Sequence, residues 1–286
     1  MTVRTIEIVP LGEVAGAEVR GLDMRAPVPA AVAAEIERAL NEHVVLVVRG
    51  APGVAPLSED EQVAFTAQLG PLEVRSGRPG AAQRPYTRLV SNVTPEGYAL
   101  MPNELHDTEM FFHHDTCFMP VPQKVLLLHA LQVPSRGGNT VFANMYRVYD
   151  ALPQRLKDRL ESLRALHVFI YTKTERADIS QGFDKFLHAA HPAVVRHPAT
   201  GRKMLYVNRL MTMRIEGMAE AESDALLQEL FEIAERPEFH YEHVWRQGDM
   251  VLWDNLVGMH ARTAMIPDEP RIMRHTSIAG SWVPVP

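Results

Sequence analysis

A single cysteine, Cys117, stands in a chain of 286 residues. A lone thiol excludes an intrachain disulfide and suits a reducing compartment. No apolar run approaches the roughly 18 residues that a membrane-spanning helix needs. The longest compact run, Val44 to Val48, has the length of a buried strand. Positive charge is also scarce: 29 Lys and Arg against 35 Asp and Glu leave a formal net charge of −6. That argues against nucleic acid as a partner, because phosphate binding needs a basic surface. The opening MTVRTIEIVPLG lacks the basic-then-apolar pattern of a secretory signal, so a cytoplasmic location is expected, with neither membrane nor nucleic acid as partner. No internal repeat or low-complexity linker divides the sequence. Its length suits one domain over residues 1–286, and hydrophobic residues at 46 % suffice for a sizeable core.

What is present reads as alternating short elements. Ala30 to His43 predicts a helix, because Val32, Ile36 and Leu40 recur every four residues. It feeds the β-branched run Val44–Val48, which Arg49 and Gly50 end. Ser58 and Glu61 form a capping-box pair for a short helix that Gly70 stops. Residues 71–110, rich in Gly, Pro and Arg, read as one long loop, and such loops often act as active-site lids. Strands are expected at Val125–Leu128 and Thr140–Ala143, separated by the turn-rich Pro134-Ser135-Arg136-Gly137-Gly138. Leu152, Leu156, Leu160 and Leu163 predict one helical segment from about Tyr146. Ala193–Arg196 and Met204–Val207 flank His197-Pro198-Ala199-Thr200-Gly201 as a hairpin. A further amphipathic helix covers roughly Glu220 to Glu235, and His240–Trp245, Met250–Trp253 and Arg271–Ala279 read as strands. Many short strands with a few added helices predict a mainly β fold. The expected core is a double-stranded β-helix, the cupin-like jelly roll, rather than a parallel α/β sheet.

Phe111–Thr116 reads F-F-H-H-D-T. On a strand, His113 and Asp115 would share a face and His114 would point to the other. A distant histidine, of which His260 just past Trp253-Asp254-Asn255 is the best candidate, would complete two imidazoles and one carboxylate. Such a triad leaves three octahedral positions open, which suits Fe(II) binding an oxidant and O2; a closed four-ligand zinc site would not. With 13 histidines in the chain, a His-x-Asp triplet alone does not decide the matter. Cys117 shares the parity of His113 and Asp115 and could approach a metal, yet free cysteines are usually packing residues. His188 and His191 could pair on zinc only if helical, and Pro192 ends that option. Gly137-Gly138 lacks the Lys-Ser/Thr of a phosphate loop and reads as a β-turn. Met211, Met213 and Met218 read as core filler, though the first two could line a pocket.

Ordered blocks add weight to the triad. They run from Gly12-Glu13-Val14-Ala15-Gly16-Ala17-Glu18-Val19-Arg20-Gly21-Leu22-Asp23, through Leu57-Ser58-Glu59-Asp60-Glu61-Gln62 to Phe65 and Leu69-Gly70-Pro71-Leu72. His113–Asp115, Gly137-Gly138-Asn139-Thr140 and His197-Pro198 with Thr200-Gly201-Arg202-Lys203 and Leu205-Tyr206-Val207-Asn208 follow. Gly248-Asp249-Met250-Val251-Leu252-Trp253-Asp254-Asn255, Met259-His260 and Arg271 close the series. In this order they resemble the taurine dioxygenase family of Fe(II)/2-oxoglutarate enzymes, which includes phenoxyalkanoate and alkylsulfate ester dioxygenases.

The resemblance implies that His113, Asp115 and His260 bind iron, and that Arg271 and Thr140 hold the distal carboxylate of 2-oxoglutarate. It implies oxidation, most simply hydroxylation, of a small molecule with O2, releasing succinate and CO2. Homo-oligomers are usual in the family. Taurine itself is not expected: the position four after Arg271, an arginine in the taurine enzymes, is His275 here, with Arg274 beside it. Glu109 stands where those enzymes carry asparagine, Phe112 where Trp is usual, and Arg75 and Arg78 fall near their His and Tyr. A small carboxylate, sulfonate or sulfate ester bound by Arg75, Arg78, Glu109 or His275 is the expectation. Desaturation is an open alternative, whereas Asp115 argues against halogenation. A non-catalytic metal- or ligand-binding jelly roll and a zinc hydrolase are the competing classes.

Overall fold

The computed structural model describes residues 5–74, 84–94, 109–169, 179 and 182–286. A seven-stranded sheet carries, in order, β1 (Glu7–Pro10), β2 (Ala17–Arg20), β3 (Val45–Val48), β14 (Met250–Asp254), β6 (Val125–Gln132), β16 (Ile272–Ile278) and β4 (Arg88–Ser91). A four-stranded sheet carries β13 (His240–His243), β7 (Thr140–Asn144), β15 (Gly258–Arg262) and β5 (Met110–His113). Their facing sides share one core: the Phe142 ring of β7 lies 5.4 Å from Trp253 of β14, edge to face.

The period of two decides which residues enter that core. Val45, Val47, Leu126, Leu128, Val251, Trp253 and Met273 face the smaller sheet. Their neighbours Leu46, Val48, Leu127, Met250 and Leu252 face outward into a second core with helix α1 (Ala30–His43). Both faces of β3 are therefore covered, which is why it reads as an unbroken apolar run. Each such side chain contributes about 1.5–3 kcal/mol by leaving water. Helix α2 (Glu59–Ala67) begins with the expected capping box, Ser58 Oγ accepting from the Glu61 amide at 3.2 Å and Glu61 accepting from the Ser58 amide at 2.7 Å. Its inner face is polar: Gln62 and Thr66 bond to Arg274 and Thr276 of β16.

Two expectations change, and a reading already set aside, the helical zinc pair, stays so. The segment 71–110 is not all loop, because β4 lies within it and pairs with β16; residues 75–83 and 95–108 lie outside the described residues. The single helix expected from Tyr146 is two, α3 (Met145–Ala151) and α4 (Gln154–Leu160). Pro153 between them restricts Leu152 to an extended conformation and lacks a donor, while Leu152, Leu156 and Leu160 still reach the same core. His188 and His191 sit on strand β9 (His188–Pro192), which pairs with β8 (Arg164–Val168) and, beyond it, β12 (Thr212–Ile215). The His191 ring nitrogen meets the Met119 carbonyl at 3.0 Å.

The hairpin strands β10 (Val194–Arg196) and β11 (Lys203–Leu205) and helix α5 (Glu220–Ala234) stand where expected. No helix among the described residues is long and apolar enough to cross a membrane.

Candidate active site

Strand β5 ends at His113, so Asp115 does not share its strand as expected. It lies instead in the turn that follows, where Thr116 takes a positive φ of 55°. Asn255 clamps that turn through both backbone groups of Asp115: the Asp115 amide donates to Asn255 Oδ1 at 3.0 Å, and Asn255 Nδ2 donates to the Asp115 carbonyl at 2.7 Å. The carboxylate is thereby returned to His113, with Oδ1 at 3.6 Å from Nε2.

Pairing of β5 with β15 sets His113 opposite His260, their ring centroids 4.2 Å apart. One ligand atom from each of His113, Asp115 and His260 lies within 4.8 Å of the others. His113 Nδ1 meets the Phe111 carbonyl at 2.9 Å, and donation there leaves the Nε2 lone pair directed at the cluster. Burial holds both imidazoles below their ordinary pKa, more strongly than the Asp115 charge raises them, so both are neutral donors. For Asp115, burial alone would raise the carboxyl. The charge of Arg88 beside it outweighs that burial and holds the group ionised. Two neutral imidazoles and one carboxylate are a donor set that fits a divalent transition-metal ion with coordination positions to spare.

His114 turns the other way, against Tyr206, and burial drops its pKa to about 3. Cys117 is buried with its sulfur 3.7 Å from that of Met211, and burial raises the thiol to about 12. It is a packing residue. Met211 joins the main core, and Met213 packs with Leu166 and Val168.

A second polar cluster lies one step along the smaller sheet. Arg262 follows His260 on the same face of β15 and stands opposite Thr140 of β7. Thr140 Oγ1 accepts from Trp245 Nε1 at 3.0 Å, which leaves the hydroxyl proton available to another acceptor. Arg271 is 2 % exposed, and its Nε donates to the Gly138 carbonyl at 2.9 Å. Burial, then the charge of Arg262, pushes its pKa down to about 9. A carboxylate held here would offset both effects and match the guanidinium in two parallel hydrogen bonds. Gly138 makes the approach possible: at φ 65°, a Cβ added there would stand 2.9 Å from Arg271 Cδ.

The remaining expected positions divide. His275 Nε2 lies 3.8 Å from Asp115 Oδ2, whereas Arg274, one residue away on β16, faces α2 and donates to Gln62 Oε1 at 2.7 Å. Glu109 is exposed just ahead of β5, and no contact described for it reaches the cluster. Arg75 and Arg78 lie outside the described residues.

Residues not singled out from the sequence also serve the cluster. Arg88 of β4 donates to Asp115 Oδ2 at 3.2 Å. His197 Nε2 pairs with Asp254 Oδ2 at 2.9 Å, and Asp254 Oδ1 accepts from the Leu256 and Val257 amides, shaping the turn into β15. The His197-Pro198 and Trp253-Asp254-Asn255 blocks mark these partners. Arg88 carries no local motif.

Comparison with known proteins places this geometry in a family. Residues 7–277 match the family model described as Taurine catabolism dioxygenase TauD, TfdA family. The (S)-phenoxypropionate/alpha-ketoglutarate-dioxygenase of Sphingobium herbicidovorans is 34 % identical over 289 aligned residues, covering 96 % of this chain and 95 % of that protein. Among solved structures, a taurine dioxygenase from Burkholderia xenovorans aligns with a TM-score of 0.81 at 29 % identity, covering 98 % of this chain and 91 % of that one. AAD-2 in complex with Mn(II) and N-oxalylglycine aligns with a TM-score of 0.79 at 32 % identity, covering 98 % of this chain and all of that one. The chain belongs to the TauD, TfdA family of dioxygenases.

Proposed function

We propose that this protein, as one jelly-roll domain, is an Fe(II)- and 2-oxoglutarate-dependent dioxygenase that oxidises a small organic anion other than taurine. The observation that carries the reading is a trio of two neutral imidazoles and one ionised carboxylate, with the Thr140 hydroxyl further along the same sheet and buried Arg271 bonded to Gly138. His113 Nε2, Asp115 Oδ1 and a His260 ring nitrogen would hold the iron. Arg271 and Thr140 would receive the distal carboxylate of 2-oxoglutarate, the first as a bidentate partner and the second as a hydroxyl donor. When bound, iron with 2-oxoglutarate and O2 supplies the oxidising chemistry, with release of succinate and CO2. The protein's own contribution is to fix donors and charges in a dry site. His275 beside Asp115 and the phenoxypropionate in a relative's name both favour an anionic substrate.

Under anaerobic conditions, Fe(II) and 2-oxoglutarate added to the protein are expected to give the visible charge-transfer absorption of the chelate. Arg271→Ala should form it only at much higher 2-oxoglutarate. Bound iron with no such absorption at any 2-oxoglutarate concentration would sink the reading.

Gly138→Ala tests the co-substrate end separately. An added methyl would meet Arg271 at 2.9 Å, on a backbone that L-residues rarely adopt. The expected result is roughly a 10-fold rise in the 2-oxoglutarate needed for half-saturation, the equivalent of about 1.4 kcal/mol, with Fe(II) affinity unchanged. Equal loss of both would point to a general loosening of the fold.

A further inference from the structure

We infer that Arg88 is the anchor for the anionic group of the organic substrate, an assignment that rests on the functional reading above and names the residue that sets its substrate class.

The placement follows from strand pairing. β4 pairs with β16 so that Arg88 stands directly opposite His275. Along β4 the side chains alternate. Val90, two residues on from Arg88, packs against the core between the two sheets, and Leu89 takes the other face. Arg88 and His275 therefore reach the same interior space from neighbouring strands, and both meet Asp115 at Oδ2, at 3.2 and 3.8 Å. The other carboxylate oxygen, Oδ1, faces His113. Asp115 thus has a metal side and a cation side.

Two features separate Arg88 from a residue that merely steadies Asp115. Its side chain is 24 % exposed while those of Asp115 and His275 are 15 % and 7 % exposed, so it is the member of the group that solvent reaches best. The hydrogen bond to Asp115 uses one terminal nitrogen, and a guanidinium presents five N–H donors in a planar fork. An edge is left for a second acceptor.

Charge points the same way. Asp115 is the carboxylate that faces Arg88, and a divalent cation bound at the other oxygen would share it. Arg88 then stands beside the metal with part of its counter-charge drawn away, where a poorly opposed charge is costly. A monoanionic head group on the substrate, a carboxylate or a sulfate ester, supplies an opposite charge and accepts from the open edge of the fork. A neutral substrate would do neither.

The test uses protein loaded with Mn(II) and saturated with N-oxalylglycine, titrated calorimetrically with 2-phenoxypropionate, with hexyl sulfate, and with the uncharged 2-phenoxypropionamide. Wild type is expected to bind at least one of the anions and to bind the amide more weakly. Arg88→Ala should still bind N-oxalylglycine, yet need roughly 10- to 100-fold more of that anion, the range set by one charge-assisted hydrogen bond. Arg88→Lys should recover part of the loss. Three results would overturn the inference alone: indifference of the wild type to both anions, unchanged anion affinity in Arg88→Ala, or loss of N-oxalylglycine binding in that variant, which would make Arg88 a support for Asp115. Failure of the wild type itself to bind Mn(II) with N-oxalylglycine strikes the functional reading, and this inference falls with it.

Discussion

Asp115→Ala is expected to abolish succinate formation and, with it, the thermal stabilisation expected of a divalent cation on the wild type. The carboxylate is the one anionic donor of the trio, held ionised by Arg88 beside it. Without it a cation would meet two neutral imidazoles and an unopposed Arg88. A ligand that binds only the folded state stabilises by RT ln(1 + [L]/Kd), about 2.7 kcal/mol at a hundredfold excess over Kd. For a chain of this size that is a rise in Tm of roughly 5 °C. The wild type should show it with Mn(II), and Asp115→Ala should not. The metal-free variant should still fold, because the ion pair it loses is partly exposed, with side chains 24 % and 15 % exposed. The loss in turnover should exceed the roughly 10- to 100-fold typical of removing an outer partner of a metal ligand. A variant that keeps both the Mn(II) shift and succinate release would place the cation elsewhere.

The sequence carried its local signals faithfully and its long-range ones poorly. The Ser58–Glu61 capping box is a relation across one helical turn, and the structure contains it. The apolar run of β3 and the turn at Thr200-Gly201 are equally local. Arg88 was hidden because β4 exists through its pairing with β16, far along the chain, inside a stretch whose Gly and Pro content reads as loop. Pro153 was visible, but the leucine spacing continues past it because α3 and α4 pack on one core. The two-residue spacing of His113 and Asp115 suggested one strand face. Their side chains do converge, but through a turn clamped by Asn255, which spacing alone does not reveal. Parity did apply on β16: Met273 and His275 alternate with Arg274, so the arginine beside His275 serves α2 instead of the cluster.

Acidification should destabilise the metal-free protein well above the carboxylate range, because several imidazoles are buried in the neutral form. Burial lowers His114 to about 3 and His129 to about 4, from 6.5 in the unfolded chain. His129 needs its neutral form: Nε2 accepts the Leu57 amide at 2.8 Å while Nδ1 faces the Asp249 carbonyl at 3.1 Å. Above 6.5 neither folded nor unfolded histidine is charged, and stability is complete. Between 6.5 and the folded value only the unfolded chain takes up the proton, so stability is lost as pH falls. At pH 5 this amounts to about 2 kcal/mol for each of the two residues, from about 1.36 kcal/mol per pH unit. His167, held well below its ordinary value by burial, adds to the loss in the same direction. Asp115 does not contribute there. Its carboxyl is lowered, so its stabilisation is present above the unfolded value of 3.8 and is lost only below it. Calorimetry should therefore give a Tm that is level above about pH 7 and roughly 8 °C lower by pH 5. His129→Gln, whose amide oxygen accepts the Leu57 amide without titrating, should show a shallower fall. A Tm that stays level down to pH 4.5 would mean that these imidazoles titrate at ordinary values, and that water reaches the packing around His114 and His129.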